Sequence, residues 1–195
     1  MSLVQGILLS CLVLSALTEE DAFSQCPSTI PRNQYLRTFR NRCYEFAVYR
    51  ETYWPVAKAE CRRKGGFLVT VNDAETQAFL VSSLVDLDFA NHGIWIGLND
   101  QKTESSYEWA SGDIVTFTDW ASGEPNFAHG MEDCVVMKST KAYAWENHPC
   151  HLSPQHYSYI CEYEKSTTAP ATTAPATTAP EATTSSGQST MVSQQ

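Results

Sequence analysis

Apolar residues recur along this chain with two different periods. In "RETYWPVAKAECRRKG", residues 50–65, Trp54, Ala57, Ala59 or Glu60, and Cys61 stand at helical spacings and Gly65 supplies a stop. In "NDAETQAFLVSSLVDL", residues 72–87, Asn72 or Asp73 can cap a helix that carries Ala74, Ala78, Leu80, Leu84 and Leu87. After these the pattern shortens to strand-length runs: "GIWIGL" (93–98), "YEWA" (107–110), "DCVVMK" (133–138) and "YSYICEY" (157–163). Two helices followed by an antiparallel set of strands predict an α+β fold. Between Trp109 and Asp133 neither period holds. A long irregular stretch inside a compact domain is usually functional.

The ends of the chain differ in kind from its middle. "MSLVQGILLSCLVLSAL" has the apolar run of a secretory signal, so residues 1–22 are expected to be removed, with the cleaved bond left open between Ser15 and Ala22. The run holds only about 15 apolar residues, short of the roughly 20 that span a bilayer. Residues 165–195 carry repeats of TTAP and almost no apolar bulk, so they cannot bury a core. Their Thr, Ser and Pro content predicts a mucin-like, O-glycosylated tail. The folded domain is then 23–164. The expectation is an exported, extracellular protein that does not insert into a membrane.

Charge and cysteines narrow the class. A net charge of -9 argues against nucleic acid or an anionic membrane as partner. Of seven cysteines, Cys11 lies in the leader; Cys26, Cys43, Cys61, Cys134, Cys150 and Cys161 remain. An even number in an exported domain predicts three disulfides, and spacing alone does not choose the pairing. A zinc cluster is disfavoured because no CxxC pair is present.

The irregular stretch ends in "SGEPNFAHGMEDC", residues 122–134, rich in carboxylate and amide oxygen and poor in anything that fills a core. Hard cations such as calcium take six to eight oxygen ligands. Glu124, Asn126 and Glu132 offer them here, and Glu146 and Asn147 offer more just past Trp145.

The motifs "WIGLND", "EPN", "EDC", "WENHPC" and "YICEY", in this order, resemble the C-type lectin domain over nearly all of the globular region. The resemblance implies the C-type lectin-like fold in its long form, with two helices, antiparallel sheets and a long loop that binds calcium and sugar. It implies the pairs Cys26–Cys43, Cys61–Cys161 and Cys134–Cys150, and a cis bond before Pro125. It implies Ca2+ held by Glu124, Asn126, Glu132, Glu146 and Asn147, with vicinal equatorial hydroxyls of mannose-, N-acetylglucosamine-, glucose- or fucose-type glycans bound to the ion and to the same residues. Asp100, Glu104 and Asp133 match a second calcium site, although Phe127 replaces a further acid there. The chain departs from the family where Trp-Asn-Asp is usual and Trp145-Glu146-Asn147 stands instead.

Partners would then be glycans or glycoproteins. Single-sugar affinity is weak, so useful avidity calls for several copies, as in a homo-oligomer. The rival reading is a calcium-independent module that binds protein, or a component of an extracellular or mineral matrix. An enzyme is disfavoured: the acids bunch beside amides, which suits a cation better than a proton-transferring pair, and no Gly-x-Ser-x-Gly or phosphate loop occurs. Trp95, Trp109, Trp120 and Trp145 are expected in the core. His92, His129, His148, His151 and His156 are expected to be neutral and exposed.

The departure at 146–147 yields a test. Replacing Glu146→Asn and Asn147→Asp together should raise mannose affinity, read as later elution from a mannose column. Unchanged elution would count against a sugar site at these positions.

Overall fold

The structure is a computed structural model that describes residues 23–126 and 130–166. The leader and all but the first residues of the expected tail lie outside the described residues, as do Phe127 and His129. No helix among the described residues is long and apolar enough to cross a membrane.

The elements run β1 (Leu36–Phe39), β2 (Arg42–Thr52), α1 (Trp54–Arg63), β3 (Phe67–Leu68), α2 (Ala74–Asp86), β4 (Gly93–Asn99), β5 (Glu108–Trp109), β6 (Cys134–Lys138), β7 (Trp145–His148) and β8 (Tyr157–Glu164). They form an α+β fold with one mixed sheet in the order β1-β2-β8-β4-β6-β7; β3 joins β8 and β5 joins β4. The expectation of purely antiparallel strands needs one correction. β4 and β8 run parallel, with Trp95 opposite Tyr159, because the chain leaves β7 at the sheet edge and re-enters at its centre beside β4. Two strands also precede the helices. Arg50–Thr52, read above as the start of the first helix, are the end of β2. Pro55 sits in the first turn of α1, where its missing N–H breaks no hydrogen bond, and this sets the helix start at Trp54.

Alternation along the central strands builds two cores. Ile94, Ile96 and Leu98 of β4 join Ile160 of β8 in a cluster with Leu80 and Leu84 of α2. Trp95 of β4 joins Tyr159, Cys161 and Tyr163 of β8 in another with Trp54, Ala57 and Cys61 of α1. Side chains two apart on a strand share a face, so each helix covers one face of the sheet. Every residue of β4 is buried, which explains its unbroken apolar run.

The helix ends follow local chemistry. Asp73 caps α2 by accepting from the Thr76 amide at 2.7 Å. At the end of α1, Gly65 takes φ +88°, the left-handed turn that glycine adopts without a Cβ clash. The Gly66 amide then reaches back to the Cys61 carbonyl at 2.9 Å.

Three disulfides join Cys26 to Cys43, Cys61 to Cys161 and Cys134 to Cys150. Cys61–Cys161 bridges 100 residues and fastens α1 to β8. Loop-closure entropy gives about 5 kcal/mol for a loop of that length and about 3 kcal/mol for the shorter two.

One buried acid stands apart. Glu162 of β8 is 1% exposed, and Arg42 approaches it only to 3.5 Å. Burial pushes its carboxyl up to about 7 from an ordinary 4.5, against the opposing pull of Arg42. The unfolded chain therefore loses this proton at lower pH than the folded chain does. The stability it contributes is complete below pH 4.5, declines as pH rises toward 7, and is level above that. Glu162→Gln should remove this slope and end up to about 3 kcal/mol more stable than wild type at pH 8. Urea midpoints of both proteins from pH 4 to 8 check this, and parallel curves would refute it.

Candidate functional site

The long loop leaves β5 at Trp109 and reaches β6 at Cys134. Its described part is pinned to β7 at Trp145. The Trp145 amide donates to the Asp119 carbonyl at 2.7 Å, and its carbonyl accepts from the Ala121 amide at 2.9 Å. Trp109, Phe117 and Trp120 all meet the Trp145 ring edge-on, with centroids 5.8–5.9 Å away. The indole N–H donates to Gln77 of α2 at 3.2 Å. Gln77 in turn donates to the Tyr143 carbonyl at 3.1 Å. A loop without strands of its own thus acquires a fixed floor.

On that floor the Glu124–Pro125 peptide is cis. The Asn126 side-chain amide donates to both Glu124 carboxylate oxygens, at 2.9 and 3.0 Å. A donor and an acceptor are therefore held side by side at the rim of the loop. The Asn126 backbone amide donates to Glu124 Oε2 and to Asn147 Oδ1, each at 3.0 Å. Asn147 Nδ2 donates to the Asn126 carbonyl at 2.5 Å and to the Glu132 carbonyl at 3.0 Å.

The structure thus brings together Glu124, Asn126, the Glu132 backbone and Asn147. Glu146 goes elsewhere. Burial alternates along β7, with Trp145 and Asn147 inside and Glu146 and His148 half-covered. Glu146 lies 3.2 Å from His148 Nε2. Burial lowers the His148 pKa, while donation to the Glu146 carboxylate and the charge of Glu124 work the other way. His148 is thus not the exposed histidine expected above; its side chain is 19% exposed because it packs edge-on against Tyr157.

The matching family model is the Lectin C-type domain, over residues 50–163. The chain belongs to the C-type lectin family. It is 33% identical to human C-type mannose receptor 2 over 116 residues, 59% of this chain and 8% of the receptor. It is likewise 33% identical to human versican core protein over 132 residues, 67% of this chain and 4% of versican. The chain spans less than a tenth of either relative. Its fold superposes on the mouse scavenger receptor C-type lectin carbohydrate-recognition domain with a TM-score of 0.60 at 27% identity, covering 70% of this chain and 98% of that one. The C-type lectin domain is a binding fold, and this chain is not an enzyme.

A second acidic group of this lectin gathers around Tyr107. Asp100 is 2% exposed and accepts from the Ser105 amide at 2.8 Å, capping a turn. Its own amide donates to the Asp133 carbonyl at 3.1 Å. Burial raises the Asp100 pKa, and Asp133 adds to the rise. Burial also raises the Tyr107 pKa, reinforced by Asp100, Glu104, Glu124 and Asp133. Glu104 is exposed, with Oε2 near Gly130. Among the described residues no three acid, histidine or cysteine side chains converge as a metal centre. The expected ligand set counts amide and backbone oxygens as well, and in kind these oxygens suit a hard cation.

Sequence reasoning treated Asn147 only as an oxygen donor and missed its use of both amide protons. Strand alternation was the available signal: once Trp145 is assigned to the core, Asn147 must face inward with it.

Proposed function

We propose that the protein is an exported lectin that binds glycans at the Glu124–Pro125–Asn126 rim, with calcium as the resident ion. The observation that carries this reading is the adjacent acceptor and donor of Glu124 and Asn126. A sugar hydroxyl can donate to the one and accept from the other, and this order of acceptor and donor suits the equatorial 3- and 4-hydroxyls of mannose-type sugars. The name of the human mannose receptor, a relative of this chain, points the same way.

Glu124, Asn126, Glu132 and Asn147 would hold the ion, while Glu146, which faces His148, stands apart from them. Calcium, when bound, supplies the positive charge to which two vicinal hydroxyls can be drawn. The chain's own residues then orient the sugar. Glu124 accepts, Asn126 donates, and Glu146 can only accept where the family usually has an amide. That change weakens or shifts mannose preference. The reading also takes residues 1–22 as an export leader and 165–195 as an O-glycosylated tail, which would put the domain outside the cell.

A calcium-independent binding module is the second reading. It is favoured by the Asn147 amide, whose protons already occupy two backbone carbonyls of the proposed site.

Chromatography on mannose and galactose resins, each eluted with chelator, separates the two. Retention on mannose, release by chelator, and loss of retention in Glu124→Ala support the first reading. A lost charge-assisted hydrogen bond costs about 1.5–3 kcal/mol, so the variant should bind at least about tenfold more weakly. Retention that survives chelator would move the assignment to the second reading. Failure to retain on either resin would remove the sugar.

A further inference from the structure

Asn147 is 3% exposed, and its amide is used at both ends. One oxygen takes the Asn126 amide proton, and the two N–H protons reach the Asn126 and Glu132 carbonyls. The chemistry of the partners fixes the orientation. A backbone N–H only donates and a carbonyl only accepts, so Oδ1 must face the first and Nδ2 the other two.

The family's usual aspartate could not make this set of contacts. A carboxylate can accept from the Asn126 amide, but it has no proton for either carbonyl. Its second oxygen would lie against two carbonyl oxygens, an arrangement that a bound cation relieves. Buried acceptors left facing one another are costly. Asparagine meets the same demand with covalently attached protons.

We propose that Asn147 is a positioning residue whose side-chain amide does the tying that a cation would otherwise do. It fastens the backbone at Asn126 to the backbone at Glu132 and so holds the Glu124–Asn126 pair in place without any ion. The frame of the site is built into the polypeptide. A bound ion would add charge for a ligand without having to assemble the frame. The proposal goes beyond the sugar-binding reading and does not depend on it.

Hydrogen exchange of the Asn126 amide, followed by NMR on the full exported protein, tests this directly. The probe is calcium chloride alone, compared with EDTA, and the β4 amides of Trp95 and Ile96 report that the core is intact. Wild type should exchange slowly at Asn126 and equally in EDTA and in calcium. Asn147→Asp keeps an acceptor for the Asn126 amide but loses both carbonyl ties; the backbone so freed should exchange at least about tenfold faster in EDTA, as for the loss of at least one hydrogen bond of ordinary strength, and should slow again in millimolar calcium. Asn147→Ala, which leaves the Asn126 amide only its bond to Glu124 Oε2, should exchange faster than wild type in both.

Wild-type exchange in EDTA as fast as that of Asn147→Ala overturns the proposal. So does Asn147→Asp that stays slow in EDTA, or that calcium fails to slow. Should a variant lose β4 protection, wild type decides alone: slow, EDTA-insensitive exchange upholds the tie, and EDTA-sensitive exchange refutes it. Loss of resin binding bears on the sugar reading only and leaves the exchange result standing.

Discussion

The order of the long loop depends on β7, a strand of four residues. Its inward face carries Trp145 and Asn147, and each holds a different stretch of the long loop. Trp145 supplies a backbone bridge to Asp119 and Ala121 and an aromatic floor for Trp109, Phe117 and Trp120. Asn147 supplies the polar tie to Asn126 and Glu132. A loop with few internal ladders must find its order in contacts to something already rigid. β7 is rigid because β6 pairs with it along its whole length and Cys134–Cys150 closes the segment beyond it. The Trp145 indole extends the attachment to α2 through Gln77. The path from core to rim is therefore short: helix, indole, strand, amide, loop.

The remaining sheet keeps that path in place. β4 and β8 lie side by side at its centre and are buried on both faces, so they are fixed by packing from two helices at once. Cys61–Cys161 crosses from α1 to β8 and prevents the outer helix from parting from the sheet. The arrangement separates roles. One half of the domain carries regular structure and hydrophobic burial, and the other carries polar atoms held by individually placed hydrogen bonds.

Much of the regular half was legible in the sequence. Both helices could be read from period and caps, with Asp73 confirmed as the α2 cap. The four expected strands are present because their apolar runs are long or aromatic. β2 was hidden because its second half, "YRET", is exposed and charged and runs straight into α1. β7 was hidden because "WENH" offers a single apolar residue. The parallel β4–β8 contact depends on where the chain returns after a long excursion, which no local pattern encodes. At the site, Glu124, Asn126 and Glu132 could be picked out as an oxygen-rich run. The direction of Glu146 toward His148 could not be seen without knowing that 146 and 148 share the outer face of a strand.

The exchange of acid and amide at 146 and 147 leaves the local count of charges unchanged, yet it redistributes what each position can do. The inner position gains two protons and loses a charge. The outer position gains a charge next to a half-buried imidazole whose pKa burial has lowered. An amide at 147 trades ion attraction for ready-made geometry. Binding to a site that is already ordered avoids the entropy of ordering it. A frame of this kind would give up electrostatic pull on a cation in exchange for a shape that needs none. The charge lost at 147 reappears on the same strand at Glu146, whose half-covered carboxylate faces His148 and not the loop.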